Sequence, residues 1–217
     1  ALTGQPTTHI IKPPISRFKE SVYNEYFCMR LAQKVGLNVP DVQVLTDSIP
    51  LFVIERFDRT EHQNMISRLH QQDFCQALGF SSSYKYEQNG GPSFADCFQC
   101  VKQYVHYSKK SSNLFSLLDW FCFNLLIGNN DSHAKNLSLL LSSETYELTP
   151  FYDLLCTVIY PTLKRDFAFQ IGGRYDVLSL STNHIQKLET ELDVRSGTIL
   201  HHLQKMWNTL QLEMPIT

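Results

Sequence analysis

Residues 125–140 read LLIGNNDSHAKNLSLL, which sets one Asp, one His, one Lys and three Asn into positions 129–136 between two apolar runs. A core does not tolerate that polarity without partners, and a solvent loop has no need of it. The stretch is either a dense turn or an active site. Asn136 follows Asp131 by five positions, and a second acid, Asp153, lies at the far end of what reads as a hairpin. A hairpin returns its ends to each other, so two carboxylates and an amide can converge on one point, with Lys135 available as a cation. Carboxylate and amide oxygens are hard ligands suited to Mg2+, which keeps several waters and borrows phosphate oxygens from its substrate. Such a set suits phosphoryl transfer.

Protein kinases divide the labour this way: a loop Asp accepts the hydroxyl proton, an Asn five residues on holds metal, and a later Asp binds Mg2+ bridging the phosphates. Asp131, Asn136 and Asp153 match in order and spacing. The same chemistry needs a strand Lys paired with a helix Glu to grip the α- and β-phosphates, and Lys12 and Glu25 stand where these belong. IERFD, residues 54–58, falls where backbone linking two lobes could hydrogen-bond adenine.

The elements that must position these groups follow from the pattern. THIIKPP predicts a strand over 8–12 stopped by Pro13-Pro14. ESVYNEYFCMRLAQKVG predicts a helix with Glu25 in its middle and Gly36 just past its end. VPDVQVL and PLFVIERFD predict two strands joined by TDS. From Thr60 the expectation changes to helices and loops: a short helix in QQDFCQALG, a turn-rich connection SSSYKYEQNGGPS, a helix from Phe94 to Tyr107, and a deeply buried helix over LFSLLDWFCFNLLIG. LSLLLS and YELTPFYD read as a hairpin with SET between them. From Thr182 come two helices, with Ile185, Leu188, Leu192, Ile199, Leu200, Leu203 and Met206 facing inward. The expected fold is α+β and bilobal: a partial N-lobe over 1–59 with the phosphate-binding Lys and the hinge, and a helical C-lobe over 60–217, with the cleft between them as the site.

At 217 residues, 43 % hydrophobic and 12 % aromatic, the chain has ample material for a packed core. With 19 basic against 21 acidic residues, and no basic run longer than Lys109-Lys110, direct nucleic-acid binding is not expected. The six cysteines are scattered, which favours a reducing compartment; Cys97-x-x-Cys100 has no second pair to complete a zinc site and reads as two helix-face thiols. No secretory leader and no run near the ~18 apolar residues of a membrane span are visible, so a soluble, cytoplasmic protein without a membrane partner is expected. The chain starts without Met and enters a strand almost at once, as part of a longer polypeptide would. Gly90-Gly91 and Gly172-Gly173 lack the G-K-[ST] of a P-loop and read as turns, and His201-His202 as a solvated helix pair.

TTHIIKPP, NEYFCMRLAQKVGLNVPD, VIERFDR, KYEQNGGPS, IGNNDSHAKNLS and LTPFYDLL, in this order, resemble the HipA-like serine/threonine kinases, the toxins of bacterial type II toxin-antitoxin modules. The resemblance implies a protein-kinase-like fold, ATP and Mg2+ as cofactors, and a protein substrate such as an aminoacyl-tRNA synthetase. It implies a cognate antitoxin as partner, and in split systems a separately encoded N-terminal subdomain. Carried over by motif, Asp131 is the general base and Lys135 belongs to the same catalytic loop. Asn136 and Asp153 are the metal ligands. Lys12 and His133 face the nucleotide and its phosphates, Glu55 and Phe57 contact adenine through their backbone, and Tyr152 stands beside Asp153 in the nucleotide site. The family also carries a phosphate-covering loop with a regulatory serine ahead of the Lys strand; either it lies upstream of Ala1 or the protein cannot cover its phosphates. Two other functions fit the loop: a small-molecule kinase, since phosphoinositide and aminoglycoside kinases have similar D-x-H-x-x-N loops, and an inactive pseudokinase that holds an antitoxin.

Overall fold

The computed structural model describes residues 4–142 and 145–214. Strand β1 (His9–Lys12), helix α1 (Ser21–Lys34), β2 (Val42–Thr46) and β3 (Pro50–Glu55) build an antiparallel sheet of order β1-β3-β2, with Lys12 opposite Phe52. Pro13 has no N–H for the ladder, so β1 ends at Lys12. Helix α1 lays Val22, Met29, Leu31 and Ala32 against Phe52 and Ile54, all buried. That face is the reason Glu25, one turn along from Val22, comes back over the sheet.

From residue 59 the chain is more strand-rich than expected. Strands β4 (Arg59–His62) and β5 (Met65–Arg68) pair as a hairpin. Gln63 and Asn64 at its turn both have positive φ, the conformation a two-residue turn demands. QQDFCQALG opens with β6 (Gln71–Asp73), and only Phe74–Ala77 is helix (α2), capped by the Asp73 carboxylate. Ser93 and Asp96 form a capping box that starts α3 (Phe94–Tyr104). That helix stops three residues short of the expected Tyr107, because Val105 turns extended and bridges to Tyr146. Helix α4 (Tyr107–Ile127) begins seven residues before the expected Leu114. Its polar first turns have tertiary partners: Lys109 pairs with Glu147 at 2.5 Å, and Asn113 accepts from the Leu148 amide at 2.7 Å.

Strands β7 (Ser138–Ser142) and β8 (Thr145–Leu148) form the expected hairpin, with β6 on the other side of β7, but β8 stops at Leu148, so Asp153 lies beyond the hairpin and not at its far end. Of the turn expected at SET, Ser143 and Glu144 lie outside the described residues. A further hairpin, β9 (Asp166–Ile171) and β10 (Arg174–Asp176), turns at Gly172-Gly173. Helices α5 (Thr182–Glu191) and α6 (Thr198–Glu213) end the chain, and α6 packs along α4.

The core is aromatic. Phe94, Phe98, Trp120, Phe121, Phe151 and Phe169 are essentially inaccessible and touch one another ring to ring. At ~1.5–3 kcal/mol for each such side chain, this cluster anchors the helices on which the polar loop stands. Cys97 and Cys100 are both buried in α3, and burial pushes their thiols up; no group of three His, Cys, Asp or Glu able to hold a metal occurs among the described residues. Two expectations about α6 are corrected. Leu200 is exposed, and His202 is buried with Nδ1 2.6 Å from Asp119 Oδ1 on α4. No described helix is long and apolar enough to cross a membrane.

Candidate active site

Helix α4 ends at Gly128, whose positive φ turns the chain into the polar loop. A Cβ there would stand 2.5 Å from Val158 Cγ2, so the position takes glycine for space as well as for φ. Asn129, fully buried, then ties the loop together: its amide donates to Asn124 Oδ1 (2.7 Å) and to the Asp153 carbonyl (3.3 Å), and its own oxygen accepts from the Asp131 amide (3.2 Å). The Asn130 amide N–H donates to Thr157 Oγ1 (2.8 Å), and its side chain reaches the carbonyl of Arg165 (3.0 Å). These two asparagines, which carried no role in the sequence, hold the loop against the segment that follows Asp153.

On that frame four of the expected residues meet. Lys12 Nζ lies 2.7 Å from Glu25 Oε1 and 2.5 Å from Asp153 Oδ1, and the Asn136 amide donates to Asp153 Oδ2 at 3.3 Å. Asn136 Oδ1 accepts from the His133 backbone amide at 3.0 Å, which leaves it a second lone pair. Asp153 has φ 54°, a left-handed conformation that is rare outside glycine and collects at functional sites. Burial pushes Glu25 up to about 7 even though Lys12 pulls the other way. Burial alone would lower Lys12, but the two carboxylates outweigh it and hold the ammonium above its ordinary value.

Asp131 is half exposed, and its Oδ1 accepts from the Tyr86 hydroxyl, with His133 Nε2 3.8 Å away. His133 is buried, and its Nδ1 has no hydrogen-bond partner among the described residues. Burial depresses it to about 4, so at neutral pH it is an uncharged imidazole. Phe57 and Tyr152 stack at 5.8 Å between centroids, and the Tyr152 hydroxyl donates to the Lys135 carbonyl at 2.9 Å. The Glu55 amide is taken by the Asp41 carbonyl at 2.9 Å. Lys135 does not join the Lys12 cluster: its ammonium stands 3.9 Å from Asp73 at the start of α2. A cavity of about 860 Å3 opens beside the loop, with Lys12, Glu25, Tyr86, Asp131 and Lys164 among its walls. Tyr86 was missed by spacing arguments, although KYEQNGGPS already stood out as a segment shared with the family.

Residues 1–213 match the model of the HipA-like C-terminal domain family. Over 195 residues the chain is 40 % identical to "Putative kinase Y4mE" of Sinorhizobium fredii, covering 89 % of this chain and 46 % of that protein. Over 217 residues it is 31 % identical to the serine/threonine-protein kinase toxin HipA of Shewanella oneidensis, covering 92 % of this chain and 48 % of that one. The chain thus spans about half the length of the curated relatives it matches. The solved complex of the Shewanella oneidensis toxin-antitoxin system HipA, HipB and its operator DNA superposes with a TM-score of 0.83 at 29 % identity, over 97 % of this chain and 54 % of that one. The proinflammatory kinase CtkA of Helicobacter pylori shares the fold at a TM-score of 0.57 and 15 % identity, over 94 % of this chain and 85 % of that one.

Proposed function

The chain belongs to the HipA-like C-terminal domain family, and from that premise we propose that it carries an ATP- and Mg2+-dependent site that phosphorylates serine or threonine in a protein. The observation that supports this most directly is the bonded chain Glu25–Lys12–Asp153–Asn136, which joins residues up to 141 positions apart at one point. In this reading residues 1–59 act as the N-lobe and 60–217 as the C-lobe.

The Asn136 side chain meets the Asp153 carboxylate through its amide nitrogen, while its oxygen keeps one lone pair beyond the bond from His133. That oxygen and the Asp153 carboxylate would supply hard donors to a magnesium ion, with water and phosphate oxygens completing its shell. When bound, the ion neutralises charge on the transferring phosphoryl group. Lys12, oriented by Glu25, grips the phosphates as a point charge. Asp131 accepts the proton of the incoming hydroxyl. Adenine lies along 55–57: with the Glu55 amide occupied, its carbonyl faces the adenine amino group, Phe57 supplies an amide, and the Phe57–Tyr152 stack borders the base. His133, neutral at pH 7, supports the wall of the site without adding charge to it. Lys135 is held back by Asp73 and reaches phosphate only by leaving it.

Because the Shewanella relative is a toxin solved with HipB, a cognate antitoxin is the expected partner here. A translation component such as an aminoacyl-tRNA synthetase is the expected substrate. Titration with ATP, with and without Mg2+, tests the site, and labelled ATP offered to bacterial proteins and to small alcohols tests the acceptor. Failure to bind ATP in a Mg2+-dependent way would leave a pseudokinase; labelling of alcohols alone would move the chain to the small-molecule kinases.

A further inference from the structure

The phenol of Tyr86 donates to Oδ1 of Asp131, while no hydrogen bond to Oδ2 is formed among the described residues. Two accounts of that contact differ in what they demand of Tyr86. A stopper sitting where substrate belongs has to swing away, whereas an orienting group has to stay.

The surroundings favour the second account. Asn89 and Gly91 both donate their amides to the Tyr86 carbonyl, at 3.0 and 2.9 Å, and the neighbouring Glu87 carboxylate accepts from the Gln170 amide on β9 at 2.8 Å. The turn closes tightly on Gly91, where a Cβ would stand 2.3 Å from the Tyr84 carbonyl oxygen and 2.8 Å from that of Tyr86. The ring itself is held edge to face against His133, centroids 5.1 Å apart, with the Lys85 ammonium 4.9 Å from its centroid. A residue tied down by backbone, ring and neighbour is built to stay. Tyr86 and Asp131 both line the 860 Å3 cavity, from which an acceptor can approach.

We infer that Tyr86 is a positioning residue for phosphoryl transfer: it pins Oδ1 of Asp131 so that Oδ2 is presented to the acceptor hydroxyl entering from the cavity. The inference rests on Asp131 being the base. As the acceptor oxygen bonds to the γ-phosphorus, its proton passes to Oδ2; the bond from the γ-phosphorus to the β,γ-bridging oxygen breaks and ADP leaves. Tyr86 keeps its own proton throughout. The KYEQNGGPS segment thereby acquires a purpose: Gly91 lets the carbonyls of Tyr84 and Tyr86 converge, and that turn sets the phenol.

The test is a double-mutant cycle in the full chain, with MgATP and water as the acceptor, read as ADP release. Tyr86→Phe keeps the ring and loses the hydroxyl. It is expected to lower kcat about tenfold, leaving KM for ATP and Tm unchanged, and to cost nothing further on top of Asp131→Asn. An unchanged or raised kcat would overturn the inference, as would an equal further loss in the Asp131→Asn background or phosphate appearing on Tyr86 itself. If Asp131→Asn turns over ATP at the wild-type rate, or the wild-type chain shows no Mg2+-dependent turnover, the reading of Asp131 as base fails first and takes this inference with it.

Discussion

The ammonium of Lys12 lies 2.5 Å from a carboxylate oxygen of Asp153, joining β1 to the segment after the second hairpin across 141 residues of chain. Since Glu25 holds the same ammonium, one cation serves two acids. Lys12→Met leaves those acids facing each other and removes the proposed phosphate grip. Transfer from labelled ATP is expected to fall by about 10²–10³, the scale of losing one preorganised charge at a developing anion. A circular dichroism spectrum matching wild type would separate this loss from unfolding.

Asp131 contributes nothing to the Lys12 cluster by direct bond, so its removal separates chemistry from binding. Asp131→Asn keeps the shape and loses the proposed proton acceptor. A loss of about 10²–10⁴ in turnover is expected with ATP affinity within twofold of wild type, measured by calorimetry alongside the rate. A parallel loss of affinity would assign Asp131 to binding instead.

Asn136 and Asp153 are proposed to share one ion, and they do so unequally. Asp153→Asn is expected to abolish the dependence of ATP binding on Mg2+. Asn136→Ala, which removes a neutral donor, should only raise the Mg2+ concentration needed, because phosphate and water ligands remain. Titration of ATP binding against Mg2+ in the two variants checks the order.

What was legible in the sequence was whatever depends on type and spacing within a segment. Lys12, Glu25, Asp131 and Asn136 each sit in a short segment whose pattern announces its element, and the first sheet with its helix was readable for the same reason; Asp153 was expected at a strand end and lies beyond β8. The β4–β5 hairpin was hidden because RTEH and MISR are exposed along nearly their whole length, so neither strand shows apolar alternation. Strand β9 reads DFAFQI with buried residues in succession, a pattern that does not distinguish strand from buried helix. The start of α4 was hidden because Lys109 and Asn113 find their partners on β8, some 35 residues away. The contact of Tyr86 with Asp131 was invisible because the two stand 45 residues apart in the chain.

His202 belongs to the same class of long-range effects, since its partner Asp119 lies 83 residues earlier in the chain. Both side chains are largely covered, and the pair ties α6 to α4. His202→Leu leaves the Asp119 carboxylate partly buried and unpaired, and is expected to cost about 1–3 kcal/mol in urea unfolding. Adding Asp119→Leu should recover part of that loss, because two apolar groups strand no charge.

Glu87 anchors the Tyr86 turn, and burial pushes it up to about 7 despite the hydrogen bond it accepts from Gln170. The folded chain therefore holds a proton on Glu87 that the unfolded chain has already released. Between pH ~4.5 and ~7 this term makes stability fall as pH rises, and the penalty is fully present above pH 7. Glu25, raised to about 7 mainly by burial, acts in the same sense. His133, depressed to about 4 by burial, acts in the opposite sense, adding stability as pH rises through ~4–6.5. Two falling terms against one rising term leave a net decline towards pH 7. Glu87→Gln retains an oxygen that can accept from the Gln170 amide but cannot ionise. It is expected to raise stability at pH 8 by about 1 kcal/mol after discounting for solvent screening, and to change nothing at pH 4. Thermal unfolding of both chains from pH 4 to pH 8 measures this directly, and two parallel profiles would show that Glu87 is ionised in the folded and unfolded chains alike.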